Sequence, residues 1–288
     1  SSSSAASDVY KRQELRYFLN NTTAPSLGVA SDGSFQRDFD MGGYDQEETN
    51  LNADFGKTLG SDMFLAFGAE WREETFTTVP GEQAAIDGNT SGMSSVKPAD
   101  AGEFSRDNMA FYVDLEHDIS DALMMQYALR YEDFSDFGNT VNGKVAGRYT
   151  MNDAFTLRGS LSTGFHAPTP GQANVSTLIT TFDGTTGLQV EEGLVRPTSA
   201  AALAVGGAPL KEEESVNMSL GFTSNITDNT TLTFDMYKIE VEDRIYRTGD
   251  IPNGSGGSVS FYTNAMDVEH QGFCLLYTSD AADEEDSV

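Results

Sequence analysis

Apolar and polar residues alternate along most of this chain with a period of two. In 63–74, Met63, Leu65, Phe67, Ala69 and Trp71 share one face, and Gly68, Glu70, Arg72 and Glu74 share the other. In 123–133, Leu123, Met125, Tyr127, Leu129 and Tyr131 oppose Gln126, Arg130 and Glu132. Phe155, Leu157 and Leu161 oppose Thr156, Arg158, Ser160 and Ser162, while Val216, Met218, Leu220 and Phe222 oppose Asn217, Ser219 and Thr223. Successive side chains of a strand point to opposite faces, so each segment predicts a strand with one apolar and one polar side. Strands are expected at about 14–19, 44–58, 63–77, 106–118, 123–134, 142–150, 155–164, 213–224, 230–246 and 259–273.

The connections between these segments fall into two kinds. Gly60-Ser61-Asp62, Ile119-Ser120-Asp121-Ala122, Met151-Asn152-Asp153-Ala154 and Ile226-Thr227-Asp228-Asn229 are tight polar turns. The connections near 78–105, 165–212 and 247–258 are long, that at 135–141 is shorter, and all four lie on the side opposite the tight turns. Tight turns on one side and long loops on the other are the pattern of an outer-membrane β-barrel. A soluble sandwich would alternate in the same way. Three features favour the barrel. The strands run to roughly 10–16 residues, against about 5–6 in globular sheets. The polar faces carry Arg, Lys, Glu and Asp close together, which suits a wet lumen, and Tyr, Phe and Trp recur towards the strand ends. The expected fold is all-β, with about nine or ten antiparallel up-and-down strands in an open sheet, a partial barrel.

The apolar set Met63, Leu65, Phe67, Leu123, Met125, Leu129, Leu157, Leu161, Met218 and Leu220 is then expected to face lipid. Glu70, Arg72, Arg130, Glu132, Lys144, Arg148 and Arg158 are expected to face the lumen, with no catalytic role. On the lipid face a midplane Arg or Lys would cost roughly 2–4 kcal/mol. In 230–246 the apolar set switches from Leu232, Phe234 and Met236 to Tyr237, Ile239, Val241 and Ile245, as a bulge or an exit from the bilayer would produce. No apolar run reaches the roughly 18 residues of a spanning helix, which a barrel does not need.

Both ends stand apart. Ser3–Gln13 reads SSAASDVYKRQ, the translation of a transposase adaptor oligonucleotide used in short-read sequencing, and Cys274–Glu284 reads CLLYTSDAADE, the translation of its reverse complement. Residues 1–13 and 274–288 are therefore expected to be adaptor-derived, and 14–273 to be an internal piece of a longer barrel. The only cysteine, Cys274, falls in the second end. The ends carry +1 and −5 of the formal −28, leaving about −24 on 14–273. An acidic excess of that size argues against a nucleic-acid surface. It reads chiefly as solvation and mutual repulsion, with cation bridging to lipopolysaccharide or attraction of a cationic ligand as sharper alternatives.

Four elements resemble a known family. Thr163-Gly164-Phe165-His166-Ala167-Pro168 resembles the Gly-Phe-Arg-Ala-Pro element of TonB-dependent receptors, with His166 where Arg is usual. Leu210-Lys211-Glu212-Glu213-Glu214-Ser215-Val216-Asn217, followed by Gly221-Phe222, is similar to the family's Leu-Lys-Pro-Glu strand start, with Glu212 in place of Pro. Asp235, Tyr237, Ile239, Asp243 and Ile245 resemble its next strand, and Asn264-Ala265 with Gly272 the one after. The four occur in the family's order and spacing over 163–273. The resemblance implies a plugged barrel of about 22 strands in the outer membrane of a Gram-negative bacterium. It would import a scarce small molecule such as a ferric siderophore, haem, cobalamin or oligosaccharide. An inner-membrane energy-transducing complex would drive it, and outer-membrane lipid and lipopolysaccharide would surround it. The plug domain and the segment that contacts the transducer would lie outside this piece. A passive porin, or another non-enzymatic barrel, is the alternative.

No catalytic constellation or cofactor site is expected. His117, His166 and His270 are far apart and lack ligand spacing. His166 opens the largest loop, so it is a candidate ligand contact, though a structural role at the Gly-Phe-x-Ala-Pro corner is the plainer expectation. Glu73-Glu74 and Glu132-Asp133 place neighbours on opposite faces, which makes them poor acid–base pairs. Asp183-Gly184 and Asn253-Gly254 are turn chemistry, and Gly254-Ser255-Gly256-Gly257 is a loop tip without the strand–loop–helix of a phosphate cradle.

Overall fold

The structure, a computed structural model, describes residues 2–279 apart from 23, 25, 26, 29–32, 89, 91, 228 and 255. In chain order the elements are β1 (Ser2–Leu19), β2 (Phe39–Leu59), β3 (Met63–Pro80), α1 (Gln83–Gly88), β4 (Gly92–Met93), β5 (Gly102–Ser120), β6 (Leu123–Phe134), β7 (Gly138–Asn152), β8 (Phe155–His166), α2 (Pro170–Asn174), β9 (Thr177–Phe182), β10 (Gln189–Leu194), α3 (Ala200–Leu203), β11 (Glu213–Thr227), β12 (Thr230–Arg247), β13 (Ile251–Pro252), β14 (Ser258–Ser260) and β15 (Tyr262–Ser279). Ten of the strands form one sheet in the order β1-β2-β3-β5-β6-β7-β8-β11-β12-β15, with every neighbour antiparallel. The first and last strands do not pair, so the expected open, partial barrel is what the chain forms.

The register places the two sets of side chains on opposite faces. Phe67 lies opposite Val113, and Val113 opposite Leu129. Tyr149, Leu157, Phe222, Phe234 and Leu275 form another apolar row across five strands. Phe155, Phe222, Phe234 and Phe273 follow one another at ring distances of 5.4, 5.7 and 6.2 Å. On the other face Arg72 opposes Asn108, Arg130 opposes Asn142, Arg148 opposes Arg158, and Gly221 opposes Asp235. All ten named apolar residues share the first face and Arg72, Arg130, Arg148 and Arg158 the second, because a period-2 pattern keeps its face as long as the register holds.

Three expectations need correction. The connection expected at 135–141 shrinks to 135–137, since β6 runs to Phe134 and β7 restarts at Gly138. Gly138 at φ +107° turns the chain, and the Phe134 and Phe137 rings stack at 4.5 Å. The long loops are not irregular. They contain α1, α2, α3 and a second sheet of five short strands in the order β13-β14-β10-β9-β4. The third concerns the strand bounds at the ends. Strands are expected from 14 and up to 273, yet residues 2–13 and 274–279 continue the ladders, from Ser2 opposite Lys57 to Gln13 opposite Gln46, and from Cys274 opposite Asp235 to Ser279 opposite Thr230. An open sheet edge presents unpaired N–H and C=O groups to any adjoining chain free of proline. The side chains of Tyr10 and Leu275 remain 59% and 62% exposed. Residues 280–288 lie outside the described residues.

The switch in 230–246 has two sources. Alternation is unbroken through Tyr237, and the face of Phe234 then turns charged, with Lys238 bridging Glu240 at 2.6 Å and Glu269 at 3.1 Å. The bulge comes later, with register shifts between Val241 and Ile245 and Asp243 at φ +55°. At the short-turn end the first three turns are each bonded to the strand beyond. Asp118 N donates to Asp62 O at 2.7 Å, Thr150 N to Ala122 O at 2.8 Å, and Asn225 N to Ala154 O at 2.8 Å. The turns themselves are fastened by Ser120 Oγ, which accepts from Leu123 N, and by Asn152 Oδ1, which accepts from Ala154 N. Asp228 of the fourth turn lies outside the described residues.

The buried apolar core sits at the loop end of the sheet. One cluster holds Ala24, Phe39, Met41 and Ala85. A second holds Val195, Ala202, Val259 and Phe261.

Candidate functional site

The polar face carries a connected charge network. Glu70 accepts from Asn50 Nδ2 at 3.1 Å and from Arg130 Nη2 at 2.9 Å, with Arg72 Nε at 3.9 Å. Arg130 Nε donates to Glu132 Oε1 at 2.6 Å, and Asn108 Nδ2 to Glu132 Oε2 at 2.9 Å. Glu70, Arg72, Arg130 and Glu132, picked out singly from alternation, thus meet with Asn50 and Asn108 in one network over four strands. Arg158 grips Asp235 with two bonds of 3.0 and 2.6 Å and Thr223 Oγ1 with a third of 3.0 Å. A planar guanidinium matches a carboxylate in this forked geometry. Arg148 faces Arg158 directly and makes no ion pair among the described residues.

Several family-motif residues prove to be packing devices. A Cβ on Gly221 would lie 2.0 Å from Asp235 Oδ1, so the glycine makes room for the carboxylate that Arg158 grips. A Cβ on Gly272 would lie 2.8 Å from the Tyr237 hydroxyl, and one on Gly164 would lie 2.9 Å from Ser215 Oγ. Asn217 Nδ2 donates to that Ser215 Oγ at 3.3 Å. Phe222 belongs to the aromatic row. Lys211, Asp243 and Asn264, from three separate motifs, form one knot. Lys211 Nζ lies 2.5 Å from Asp243 Oδ2, and Asn264 Nδ2 donates to the carbonyls of Lys211 and Asp243 at 2.8 and 2.7 Å. The hydrogen bond to Asp243 raises the Lys211 pKa above its usual value. Ile245 N donates to Glu213 Oε1 at 2.9 Å, which secures the bulge.

The corner at 164–168 is anchored by a residue the sequence reading passed over. Arg106 is 4% exposed and pairs with Glu74. Its Nη1 donates to Pro168 O at 2.6 Å, and its guanidinium lies 5.3 Å from the Phe134 ring centroid. Asp136 is 3.7 Å away, and burial raises its carboxyl pKa against the opposing pull of Arg106. Phe165 meets Phe134 edge-on at 5.6 Å, Pro168 is buried and Ala167 half-buried. His166 is exposed, with Nδ1 3.6 Å from Glu213 Oε1. Thr169 and Gln172 then cap α2 with reciprocal hydrogen bonds of 2.9 and 3.1 Å, and Pro170 begins the helix.

From this corner the large loop folds across the loop end of the polar face. Tyr44, which shares that face with Arg72 through the register, donates its hydroxyl to Ser176 O and lies 2.7 Å from Thr177 Oγ1. Phe76 stacks on Tyr44 at 5.6 Å. Arg196 stacks on Phe104 at 5.1 Å. A cavity of about 470 Å³ lies between loop and wall, lined by Phe104, Arg106, Asp136, Pro168, Asn174 and Pro197 among others. Arg106 lines it with Glu74 paired behind, and Tyr44 holds the same loop at Ser176. Alternation placed Glu74 on a polar face and singled out neither Arg106 nor Tyr44.

An up-and-down wall with one apolar and one polar face, charges networked on the polar side and folded loops over one end, defines the class of outer-membrane barrel walls. The family description "TonB dependent receptor-like, beta-barrel" matches residues 2–279. The chain belongs to this family. It is 23% identical over 255 residues to the ferric enterobactin receptor PirA of Pseudomonas aeruginosa, covering 85% of this chain and 33% of that protein. It is 25% identical over 206 residues to a probable TonB-dependent siderophore receptor PirA of Acinetobacter baumannii, covering 70% and 26%. The crystal structure of the Pseudomonas aeruginosa siderophore receptor PirA superposes with a TM-score of 0.61 at 18% identity, over 84% of this chain and 45% of that one. The chain therefore spans about a third or less of the length of these curated relatives.

Proposed function

We propose that this chain is part of the wall and external loops of an energy-coupled outer-membrane importer whose cargo is an iron-carrying siderophore. The observation that carries this reading is the family match over 2–279, joined to relatives that are named siderophore receptors. On this reading the apolar face meets lipid and the outer leaflet's lipopolysaccharide, and the polar face lines the lumen. A plug domain from the rest of the protein packs there. Arg148 and Lys144 are exposed on that wall without an ion pair among the described residues, which suits them to plug carboxylates. Arg130 and Arg158 are already committed to the wall's own carboxylates. His166 stands exposed at the start of the largest loop, where a ligand contact is compatible with its place. The adaptor origin of 1–13 and 274–288 belongs to the same reading, with 14–273 as the native piece.

The test is to recover the complete reading frame and express it in an iron-starved strain lacking its own siderophore receptors. Uptake of radio-iron as ferric siderophore is expected, abolished by a protonophore or by loss of the energy-transducing complex. Uptake that survives both treatments would make the protein a passive porin. An upstream frame without a plug-sized domain would also remove the importer reading.

A further inference from the structure

We propose that the three loops 81–101, 167–212 and 248–261 form a single rigid cap and do not open independently. The first observation is the five-stranded sheet. β13 and β14 come from the third loop, β10 and β9 from the second, and β4 from the first, so the sheet order β13-β14-β10-β9-β4 crosses two loop boundaries. One boundary is a parallel pair, Gly193 opposite Val259 and Leu194 opposite Ser260. Such a pair cannot arise within a hairpin and must join separate stretches of chain. The other joins Gly92 to Thr180 and Met93 to Ile179, with Ser94 N donating to Leu178 O at 3.0 Å.

The second observation is that the cap has its own core. Val195 and Ala202 of the second loop pack with Val259 and Phe261 at the end of the third. Val195 N donates to Ser260 O at 2.9 Å, and Lys97 of the first loop pairs with Glu191 of the second through two bonds of 2.7 Å. The third observation is attachment. Six chain passages tie the cap to the wall strands, and Tyr44 and Arg106 add two side-chain anchors. A body held at so many points has no hinge to swing on. Movement of one loop must break the shared sheet or carry the others with it. This inference does not depend on which ligand the protein carries.

Gly257 gives the test. It lies in the third loop, and a Cβ there would sit 2.6 Å from Glu191 O of the second. Gly257→Val should therefore open the β10–β14 seam. Hydrogen exchange is followed on the chain refolded in detergent micelles. A single body predicts that the amides of β9 and Ser94, which Gly257 does not touch, exchange at least about tenfold faster together, while β5 and β6 keep their protection. Retained protection at Ser94 and β9, with loss confined to 256–261, would overturn the proposal. If the valine also loosens β5 and β6, Gly257→Ala is measured with the same criterion. A second variant works in the opposite direction. Leu194→Cys with Ser260→Cys, in a Cys274→Ser background, should slow exchange at Ser94 once oxidised, and an unchanged rate there would count against a single body.

Discussion

The wall and the cap are built from the same chain by opposite rules. In the wall, large apolar side chains such as Leu129 and Leu161 point away from the protein at about half exposure, and the charged groups are tied together on the other face. In the cap, Val259, Phe261 and Ala202 are buried against one another. Each rule suits one solvent. Lipid rewards outward leucine and punishes outward charge, while water does the reverse. The difference shows that exposure alone says nothing about a residue's comfort until the solvent on its side is known.

The largest expected effect follows directly. Residues 14–273 expressed in water without detergent should aggregate, because the apolar face has no lipid and both sheet edges lack partners. Light scattering and size-exclusion chromatography check this, and a monodisperse, cooperatively unfolding species would make the protein a soluble β domain. Next comes Arg106→Ala at the junction of the two regions. It leaves Glu74, largely shielded from water, without its partner, which costs up to roughly 3–5 kcal/mol. Arg158→Ala, in a half-exposed pair, should cost no more than about 1 kcal/mol. Denaturant unfolding in detergent compares the two, and equal losses would show that burial at Arg106 has been misjudged.

A matched pair sharpens the contrast of solvents. Leu129 and Leu203 are 51% and 53% exposed, one on the wall and one on the cap. Leu129→Arg should cost up to roughly 2–4 kcal/mol in lipid vesicles, and Leu203→Arg close to nothing. Similar costs at both sites would mean that Leu129 does not face the bilayer. The smallest effect is confined to the cap. Asp183 accepts from Thr185 N at 3.0 Å and from Thr186 N and Oγ1 at 2.5 and 2.7 Å, which lowers its pKa below 3.8. The folded tip then binds fewer protons than the unfolded one around pH 3.8, so the stabilisation is full above that pH. It fades as pH falls through the lowered value. With the intrinsic exchange rate at each pH divided out, the protection of the Thr185 and Thr186 amides should fall on acidification with the wall unaffected, and pH-independent protection would contradict the hydrogen-bonded carboxylate.

The wall was legible in the sequence because a single rule, alternation, repeats over ten long strands and fixes side and direction together. Glu70, Arg130 and Arg158 could be placed on one face from the sequence alone. Their bonds could not, since Arg158 reaches past its cross-strand neighbour to Asp235. The cap was read as loop because its strands are two to six residues long. Such segments hold too little periodicity to stand out, and their partners come from distant parts of the chain. Arg106 lay in plain view on an expected strand. What makes it an anchor is Pro168 O, and no local pattern announces a partner sixty-two residues away. The motif glycines show the reverse. Gly221 and Asp235 resemble family positions for a reason that only coordinates expose, a carboxylate filling the space of a missing methyl group.

The hem of backbone bonds along the tight turns bears on how such a protein changes over generations. Three turns there grip the next strand, from Asp62 to Asp118, from Ala122 to Thr150 and from Ala154 to Asn225. A slip by one residue would break its stitch and turn a whole strand inside out. Register is thereby kept at the end farthest from the loops. Insertions and deletions among the loops leave it untouched, so descendants can rework the loops while inheriting the wall unaltered.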